Sequence, residues 1–461
     1  MSKVLVTDTY LTNIANAIRE KNGEITTYKP GDMAGAILNI SSENESVLKS
    51  DVNFYDYDGT IVASYTKEEF LTLTDLPENP THRGLISEGW NWDLNNAQTY
   101  VALYDKLNIG QMYITDDGTT RIYIELTEEY LSPYISVNTS YQNKIKIDWG
   151  DGNITQQTMT YYSSSINHQY ASPGSYVITI YPNPDDNEVY LTGNDKGGSQ
   201  ILWANVADNS TGLNLNMPYR NAIKKIEIGE KFRLYNSYVF ENLGGLEAIT
   251  IPSYMSFDDI SLNKCYSLKH ITITPKSTYN KFSIDDCITL KSISFPQNTG
   301  SISNSAFMHT RLLHEVNGIM PNDISYLFNL AYGLHYYIVP ETVTVVGTRS
   351  FYECYNLKYI DFTRLKNVPT KTGDSFYNTP SDMVILVPYT LFVEWKSATN
   401  WSNFTTQMVA KALGSDLGNT GDELPTIDSE GSAISWYDDM NCTNVVTTID
   451  NVTKHYYCKN L

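Results

Sequence analysis

The chain has 461 residues, which is too many for one small core and predicts about three or four domains. Its 52 acidic residues against 32 Lys and Arg give a net charge of −20, which disfavours nucleic acid as a partner because phosphate is repelled. A hydrophobic content of 41% argues against a disordered chain, and no apolar run reaches about 18 residues, so we expect no insertion into a membrane.

Residues 1–42 are predicted to contain two short helices. Leu11, Ile14 and Ile18 have helical spacing, and Asp32 is a suitable N-cap for a second helix over 33–40. Two such helices bury little core, so we interpret them as an attachment segment, although a hairpin folded onto the next domain fits the pattern equally well. No basic segment followed by an apolar one is present at the start, so we expect no secretory signal peptide.

Residues 51–118 predict a small α+β module with a strand-turn-strand unit in 52–62 and a helix over 93–107. The sequence around Asp56, Asp58 and Gly59 matches the nucleophile motif of haloacid-dehalogenase phosphatases, in which the first Asp attacks phosphorus. Those enzymes need a large doubly wound domain, for which this part of the chain is too short. A hairpin with an Asp-Gly turn is therefore the favoured interpretation.

Residues 119–215 alternate apolar and polar side chains in short runs, which predicts a β-sandwich. The run Trp149-Gly-Asp-Gly and the spacing of His168, Tyr170 and Gly174 resemble the polycystic-kidney-disease (PKD) type of immunoglobulin-like domain. The resemblance implies a tight turn at the glycines, with the His and Tyr rings packed around the corner at Gly174.

Residues 216–404 contain an internal repeat of about 22 residues with the core pattern L-x-x-I-x-I. This pattern predicts a leucine-rich-repeat solenoid of about seven coils, in which the third and fifth residues after each leading residue point inward. A degenerate eighth coil fits Phe376, Ile385 and Val387, and Trp395 and Trp401 are expected on a helix that caps the array. The leading residues are Ile223, Leu246, Leu268, Leu290, Leu313, Leu334 and Leu357.

The repeat has further details, such as F-x-x-C-x-x-L-K-x-I over 351–360, that resemble the BspA-like class. That class recurs in bacterial surface proteins and in phages of gut bacteria. Cys265, Cys287 and Cys354 each stand three residues before a leading Leu, which predicts a small buried core position rather than a metal site.

Residues 425–461 predict a small β-rich tail domain after a Gly-, Asp- and Ser-rich linker over 413–430. Cys442 and Cys458 flank its strands and could pair if oxidised, whereas a reducing cytosol before lysis would keep them as thiols. The predicted fold class is therefore multidomain and mainly β: a short helical piece, a small α+β module, a sandwich, a solenoid and a small β tail.

No pattern in the sequence predicts catalysis, so we expect no enzyme and no cofactor. The chain lacks H-E-x-x-H, C-x-x-C, G-x-S-x-G, a P-loop and G-x-G-x-x-G. Asp148, Asp151 and Asn153 could ligate Ca²⁺ through oxygen atoms, but the Gly-Asp-Gly turn explains these residues without an ion, and no metal is predicted.

The outward strand positions, two and four after each leading residue, form a candidate receptor-binding strip. Hydroxyl-bearing residues in the middle coils give way to aromatic residues in the later ones, and Tyr rings stack well on sugars. An ordinary solvated sheet face fits the same pattern. The candidate receptor-binding residues are His270, Thr272, Tyr336, Tyr359 and Asp361.

The runs LTNIANAIREKNG and TYKPGDMAGAILNI near the N-terminus resemble the start of tail and baseplate-associated proteins of phages that infect Gram-positive gut bacteria. The module at 51–126, the repeats and the YYCK-type tail fit the same group. The resemblance implies a tail fibre or receptor-binding protein that joins other tail or baseplate proteins through residues 1–40 and forms a homotrimer. Such a protein attaches the virion to a host-surface glycan or protein, so it is made in the host cytoplasm and acts at the cell exterior.

Three other interpretations remain open at this point. A bacterial surface adhesin of BspA type could be built from the same modules, and a purely structural baseplate component needs no receptor site. A depolymerase within the fibre would need a carboxylate pair in a cleft, which the sequence does not exclude.

Overall fold

The computed structural model describes most of the chain after residue 50. The predicted helices of 1–42 and the segment 414–433 lie outside the described residues. Among the described residues, no helix is both long enough and apolar enough to span a bilayer. The described residues are 51–139, 144–158, 164–182, 188–192, 201–203, 221–234, 239–251, 259–273, 281–296, 302, 305–318, 321–413, 434–438, 442–448 and 455–460.

Residues 51–118 form an α+β module around one four-stranded sheet. The elements are β1 Val52–Tyr55, β2 Ile61–Tyr65, α1 Lys67–Leu71, β3 Leu85–Trp90, α2 Leu94–Tyr104 and β4 Leu107–Thr115. The strand order is β2-β1-β4-β3, in which β1 and β4 are parallel and the other two pairs are antiparallel. Phe54, Phe70 and Val101 are fully buried in its core.

Local sequence explains the boundaries of this module. Thr66 and Glu69 form a reciprocal capping box that starts α1, and Asp93 caps α2 by accepting a hydrogen bond from the Asn96 N–H at 2.9 Å. The Asp-Gly turn between β1 and β2 places Gly59 at φ +86°, a conformation that glycine adopts without strain. The prediction of a hairpin at the phosphatase-like motif is confirmed.

Residues 119–234 contain two sheets that share one apolar core. The strands are β5 Thr120–Leu126, β6 Tyr134–Thr139, β7 Lys144–Asp148, β8 Ile154–Thr158, β9 Ser164–Asn167, β10 Gly174–Ile180, β11 Val189–Leu191, β12 Leu202–Trp203, β13 Ile223–Glu227 and β14 Phe232–Leu234. The sheet orders are β13-β5-β10-β7-β8 and β12-β6-β11-β14, with β9 paired to β6.

The first repeat strand belongs to the sandwich as well as to the solenoid. β13 carries the first leading residue, Ile223, yet it pairs antiparallel with β5, with Ile226 opposite Ile122. The next coil follows on its other side, where the Glu247 N–H donates to Lys224 O at 3.5 Å. The core of the sandwich therefore continues into the solenoid without a break.

The later coils stack parallel strands on two faces. On the main face, Ile249 lies beside Ile271, Ile293 beside Val316, and Tyr337 beside Ile360. These strands are β15 Ala248–Thr250, β17 His270–Thr272, β19 Ser292–Ser294, β20 Glu315–Asn317, β21 Tyr336–Ile338, β23 Tyr359–Asp361 and β25 Val384–Pro388. The second face carries β16 Asp259–Ser261, β18 Lys281–Ser283, β22 Val345–Val346 and β24 Thr370–Lys371.

The predicted inward positions are confirmed. Ile249, Ile271 and Ile360 are at most 5% exposed, and Ile273 and Phe362 are fully buried. Among the residues at the fifth position, Gly318 is the one without an apolar side chain, because any Cβ there would lie 2.3 Å from the Phe295 carbonyl oxygen.

Aromatic and thiol ladders fill the turns between the two faces. Phe328 stacks on Phe307 and on Phe351, with ring centroids 5.4 and 5.5 Å apart, and Phe351 stacks on Phe376 at 5.4 Å. The buried Cys354 thiol donates to the Phe328 carbonyl oxygen at 3.1 Å. Cys265 and Cys287 make equivalent bonds to the preceding coil, so the predicted core role of these thiols is confirmed.

The coils also turn through residues in the left-handed backbone region, and some coils contain two of them. The N–H of Lys264 donates to Asp285 O at 2.8 Å, and the N–H of His309 donates to Asn329 O at 2.9 Å. The left-handed conformation costs roughly 1–2 kcal/mol per non-glycine residue, and these hydrogen bonds to the next coil stabilise it. The left-handed residues are Asn242, Lys264, Asp286, His309, Tyr326, Leu330, Arg349, Glu353 and Asn378.

The solenoid ends in a helical cap. A 3₁₀ turn, Tyr389–Leu391, leads into α3 Phe392–Ser397, and a second 3₁₀ turn spans Ser402–Phe404. Trp395 and Trp401 are buried against Phe362, with ring centroids 5.0 and 5.4 Å from it. The prediction that the two Trp residues cover the last coils is confirmed.

The tail strands extend the solenoid sheet rather than forming a sheet of their own. β26 Met408–Leu413 pairs parallel with β25, and β29 His455–Asn460 pairs antiparallel with β26. β27 Ile434–Tyr437 and β28 Val445–Val446 complete the order β21-β23-β25-β26-β29-β27-β28. Cys442 and Cys458 carry thiols rather than a disulfide.

Candidate binding sites

The α+β module lies on the main face of the solenoid. The Asn91 Nδ2 donates to Ile273 O at 2.9 Å, and the ring of Tyr55 stacks on His270 at 5.2 Å. Gly110 in β4 faces Thr272 so closely that a Cβ would lie 2.5 Å from the threonine Oγ1. Glycine is required here by the close approach of the two surfaces.

Helix α2 continues the contact over the later coils. The Tyr100 hydroxyl accepts a hydrogen bond from the Gly318 N–H at 2.8 Å, and Lys106 Nζ lies 5.6 Å from the centre of the Tyr336 ring. Glu315 lies beneath the module, and burial raises the pKa of its carboxyl group, although Lys106 opposes that shift.

The predicted strip is therefore not an open sheet face at the middle coils. Thr272 is fully buried and His270 is half-buried beneath Tyr55, since the module covers both. Burial lowers the pKa of His270 to about 4, against the opposing charges of Asp58 and Asp56. The docked module therefore covers this part of the predicted strip, and no sequence pattern reveals that module.

At the later coils the strip is only partly covered. Tyr336 and Tyr359 are half-buried and stack on each other, with centroids 5.6 Å apart and ring planes 14° from parallel. Asp361 is 6% exposed and pairs with Lys411 Nζ at 3.1 Å. The five candidate residues thus lie in separate surroundings and do not form one site; their role as receptor contacts stays a prediction.

A cleft of about 270 Å³, here called the junction cleft, lies where the module meets the first two coils. Rings of Tyr57 and Tyr113 contribute to its wall, with centroids 5.6 Å apart. The Thr250 Oγ1 is a buried polar atom in the same wall that has no hydrogen-bond partner among the described residues. The cleft is lined by Tyr57, Asp58, Leu85, Tyr113, residues 224–228, Glu247, Ala248 and Thr250.

A buried carboxylate organises the charges of the junction cleft. Glu227 pairs with Lys225 at 2.6 Å and with Arg121 at 3.3 Å, and accepts a hydrogen bond from the Tyr123 hydroxyl at 2.9 Å. Burial and that bond to Glu227 raise the pKa of Tyr123 to about 12. Lys225 also lies 4.2 Å from the centre of the Tyr57 ring, so the cation is held at the cleft wall.

The phosphatase-like motif supports the same cleft from behind. Asp56 Oδ2 lies 2.7 Å from His82 Nε2, and the His82 ring packs edge-on against Tyr57 at 4.8 Å. Burial and the neighbouring Asp56 raise the pKa of Tyr113, so its hydroxyl stays protonated. These residues offer hydrogen bonds and ring faces, which suit ligand binding.

A second and larger cavity, here called the tail groove, has a volume of about 490 Å³. It runs between the end of α2, the seventh coil and β26. The guanidinium carbon of Arg364 lies 4.1 Å from the centre of the Tyr104 ring. The groove is lined by Lys67, residues 102–105, Glu341, Thr363, Arg364, residues 388–390, Lys411 and Ala412.

The carboxylates at the predicted sandwich turn are already engaged. Asp151 bonds His168 Nε2 at 2.8 Å and the Asn153 N–H at 3.0 Å. Although burial alone would raise the pKa of Asp151, these bonds lower it. Trp149 stacks on His168 at 4.7 Å, so the turn and the packed His have a structural explanation.

In the part of the chain that the structure describes, one other group of side chains could hold a metal ion. Asp285, Asp286 and His309 lie together on adjacent turns of the solenoid, all partly exposed, and His309 bonds Asp285 at 2.9 Å. Exposed acidic groups of this kind are common without an ion, and the cluster is explained by the inter-coil bond.

Comparison with known proteins identifies the repeats. Residues 218–314 and 322–391 match the model of the BspA type leucine rich repeat region in six copies. A crystal structure of a leucine-rich repeat protein from Bacteroides ovatus ATCC 8483 is 19% identical over 34% of this chain and 49% of that chain, with a TM-score of 0.25. The chain thus spans about half of that protein, and no curated protein matches it. The PKD and phage resemblances stay predictions. The chain contains a solenoid of BspA-type leucine-rich repeats.

Proposed function

We propose that this protein is an adhesin that binds a cell-surface carbohydrate in the junction cleft. The observation that carries the proposal is the convergence there of two Tyr rings with the Lys225 cation, carboxylates and the Thr250 hydroxyl, which has no hydrogen-bond partner among the described residues. Sugars are recognised by this combination, because ring faces cover their C–H surfaces while polar groups bond their hydroxyls. The module supplies Tyr57, Asp58, Leu85 and Tyr113, so the cleft is complete only when the module is docked.

The finer part of the proposal concerns where the adhesin is carried. We propose a phage tail fibre or receptor-binding protein, made in the host cytoplasm, that joins the tail through residues 1–40 as a homotrimer. Several weak sugar contacts on one particle would then add up through avidity. A BspA-type adhesin on a bacterial surface is the alternative, and the repeats favour it equally.

Binding is tested with the full chain on arrays of cell-wall and capsular glycans. Tyr57→Ala should weaken binding about tenfold or more, because truncating an aromatic contact at the centre of a site commonly costs ~1–2 kcal/mol. Tyr355→Ala is the matched control, since this Tyr is 49% exposed and stacks on Tyr332 away from the cleft. Equal loss in both variants, or no glycan binding by the unmodified chain, would overturn the proposal.

The carrier is tested separately. Antibodies against the purified chain should label intact virions in purified phage preparations, and deletion of residues 1–40 should abolish the label while the protein still folds. Labelling of bacterial surfaces in cultures free of phage would favour the surface adhesin instead.

A further inference from the structure

We propose that the tail groove is a second binding site, separate from the junction cleft, that takes a carboxylate-bearing sugar through Arg364. The groove is the larger of the two cavities described above, and it holds an unusual cation. Its volume of about 490 Å³ falls within the usual range of ligand sites, roughly 300–1,000 Å³.

Arg364 differs from the other cations of the groove because the described residues contain no acidic partner for it. Lys67 pairs with Asp105, and Lys411 pairs with Asp361 at 3.1 Å. For the half-buried Arg364, no carboxylate of the described chain lies within ion-pair distance. A guanidinium stays charged, so this positive charge is available to a ligand.

The contact with Tyr104 leaves the binding edge of Arg364 available. The guanidinium carbon is 4.1 Å from the ring centre, which places the cation over the ring. An arginine stacked on an aromatic ring still has its in-plane N–H groups, which match the two oxygens of a carboxylate. The chain has a net charge of −20, so an acidic ligand needs such a local cation to approach at all.

The remaining walls favour a sugar over an acidic peptide. Tyr389 supplies a ring, and Thr363 and Thr390 supply hydroxyl-bearing side chains, whereas the two faces of the Tyr104 ring are covered by Tyr100 and Arg364. Asp105 and Glu341 stand at the same groove. One carboxylate can pair with Arg364 despite them, whereas a segment with several acidic residues would be repelled.

The proposal is tested by titration calorimetry of the full chain with two disaccharides. They are identical except that one carries a glucuronate unit where the other carries glucose. The unmodified chain should bind the glucuronate disaccharide at least tenfold more tightly than its neutral counterpart. Arg364→Ala should remove this preference, a loss of about tenfold to a hundredfold for a charge-assisted pair. Arg364→Lys should keep only part of it, because lysine cannot bind a carboxylate in the paired geometry.

Arg349→Ala is the matched control. Arg349 also stacks on a tyrosine, Tyr352, at 4.9 Å, but it has an acidic partner, Asp374, at 3.4 Å. This variant should bind the glucuronate disaccharide as the unmodified chain does.

Three results would overturn the proposal. The first is equal affinity for the two disaccharides, and the second is an unchanged preference for glucuronate in Arg364→Ala. The third is binding of a glutamate-rich peptide that depends on Arg364, with no binding of the glucuronate disaccharide. If Arg364→Ala melts early, the Arg364→Lys result decides. Tyr57→Ala should retain glucuronate binding, so failure at the tail groove and failure at the junction cleft are distinguishable.

Discussion

The docking of the module on the solenoid rests on close contact at Gly110, and a double-mutant cycle tests it. A methyl group at Gly110 would lie 2.5 Å from Oγ1 and 2.9 Å from Cγ2 of Thr272. Overpacking of this kind costs about 1–3 kcal/mol. Replacing a glycine with alanine where the backbone permits it also stabilises the fold by about 0.4–1 kcal/mol, because it lowers the conformational entropy of the unfolded chain. We therefore expect Gly110→Ala to lower the free energy of unfolding by about 1–2 kcal/mol.

Thr272→Ala removes both nearest atoms, so Gly110→Ala should cost little in that background. The expected coupling between the two changes is about 1–2 kcal/mol, measured by urea unfolding of the four proteins of the cycle. Hydrogen exchange of β4 amides would report the same rescue locally. An equal cost of Gly110→Ala in both backgrounds would refute the docked arrangement.

Three further predictions concern charge and packing. Burial lowers the pKa of His270 to about 4, whereas an unfolded His has a pKa of 6.5, so on acidification the unfolded chain binds a proton first. The free energy of unfolding should therefore fall as the pH drops from about 6.5 towards 4. Melting curves recorded across this pH range should show a smaller fall for His270→Gln. Phe328→Ala should cost about 3–5 kcal/mol in denaturant titrations because the ring is fully buried in its stack, whereas the exposed Tyr355→Ala should cost below ~1 kcal/mol. Ile271→Asp buries a carboxylate at a cost of several kcal/mol, so circular dichroism at roughly room temperature should show an unfolded solenoid. A variant as thermally stable as the unmodified chain would contradict the repeat register.

The solenoid could be predicted because its packing repeats. Each coil places an apolar residue against the same position of its neighbours, so Ile249, Ile271 and Ile360 occupy equivalent sites and leave a period in the sequence. The cysteine position follows the same rule, since each thiol bonds the preceding coil. Such signals survive because every coil meets the same steric requirement.

The docked module and the tail leave no such signal. Asn91 and Ile273 are 182 residues apart, and their hydrogen bond is made once. The addition of β29 to β26 depends on an exposed strand edge that no local pattern marks. The left-handed residues are equally hidden, since Lys264 and Leu330 are not residues that favour that conformation. For the same reason Tyr57 and Arg364, which the proposed sites depend on, were not predicted as binding residues.

Both proposed sites are built partly from the module, and this links ligand binding to docking. Tyr57 and Tyr113 belong to the junction cleft, and Lys67 and Tyr104 belong to the tail groove, so either site is complete only when the module lies on the solenoid. A ligand that binds only the docked form stabilises it by about 2.7 kcal/mol when its concentration is a hundred times its Kd. Protonation of His270 acts in the opposite direction, because its buried position disfavours the charged ring. Because linkage is reciprocal, acidification should weaken ligand binding at both sites together. A ligand bound at either site should in turn shift the acid-induced loss of stability to lower pH.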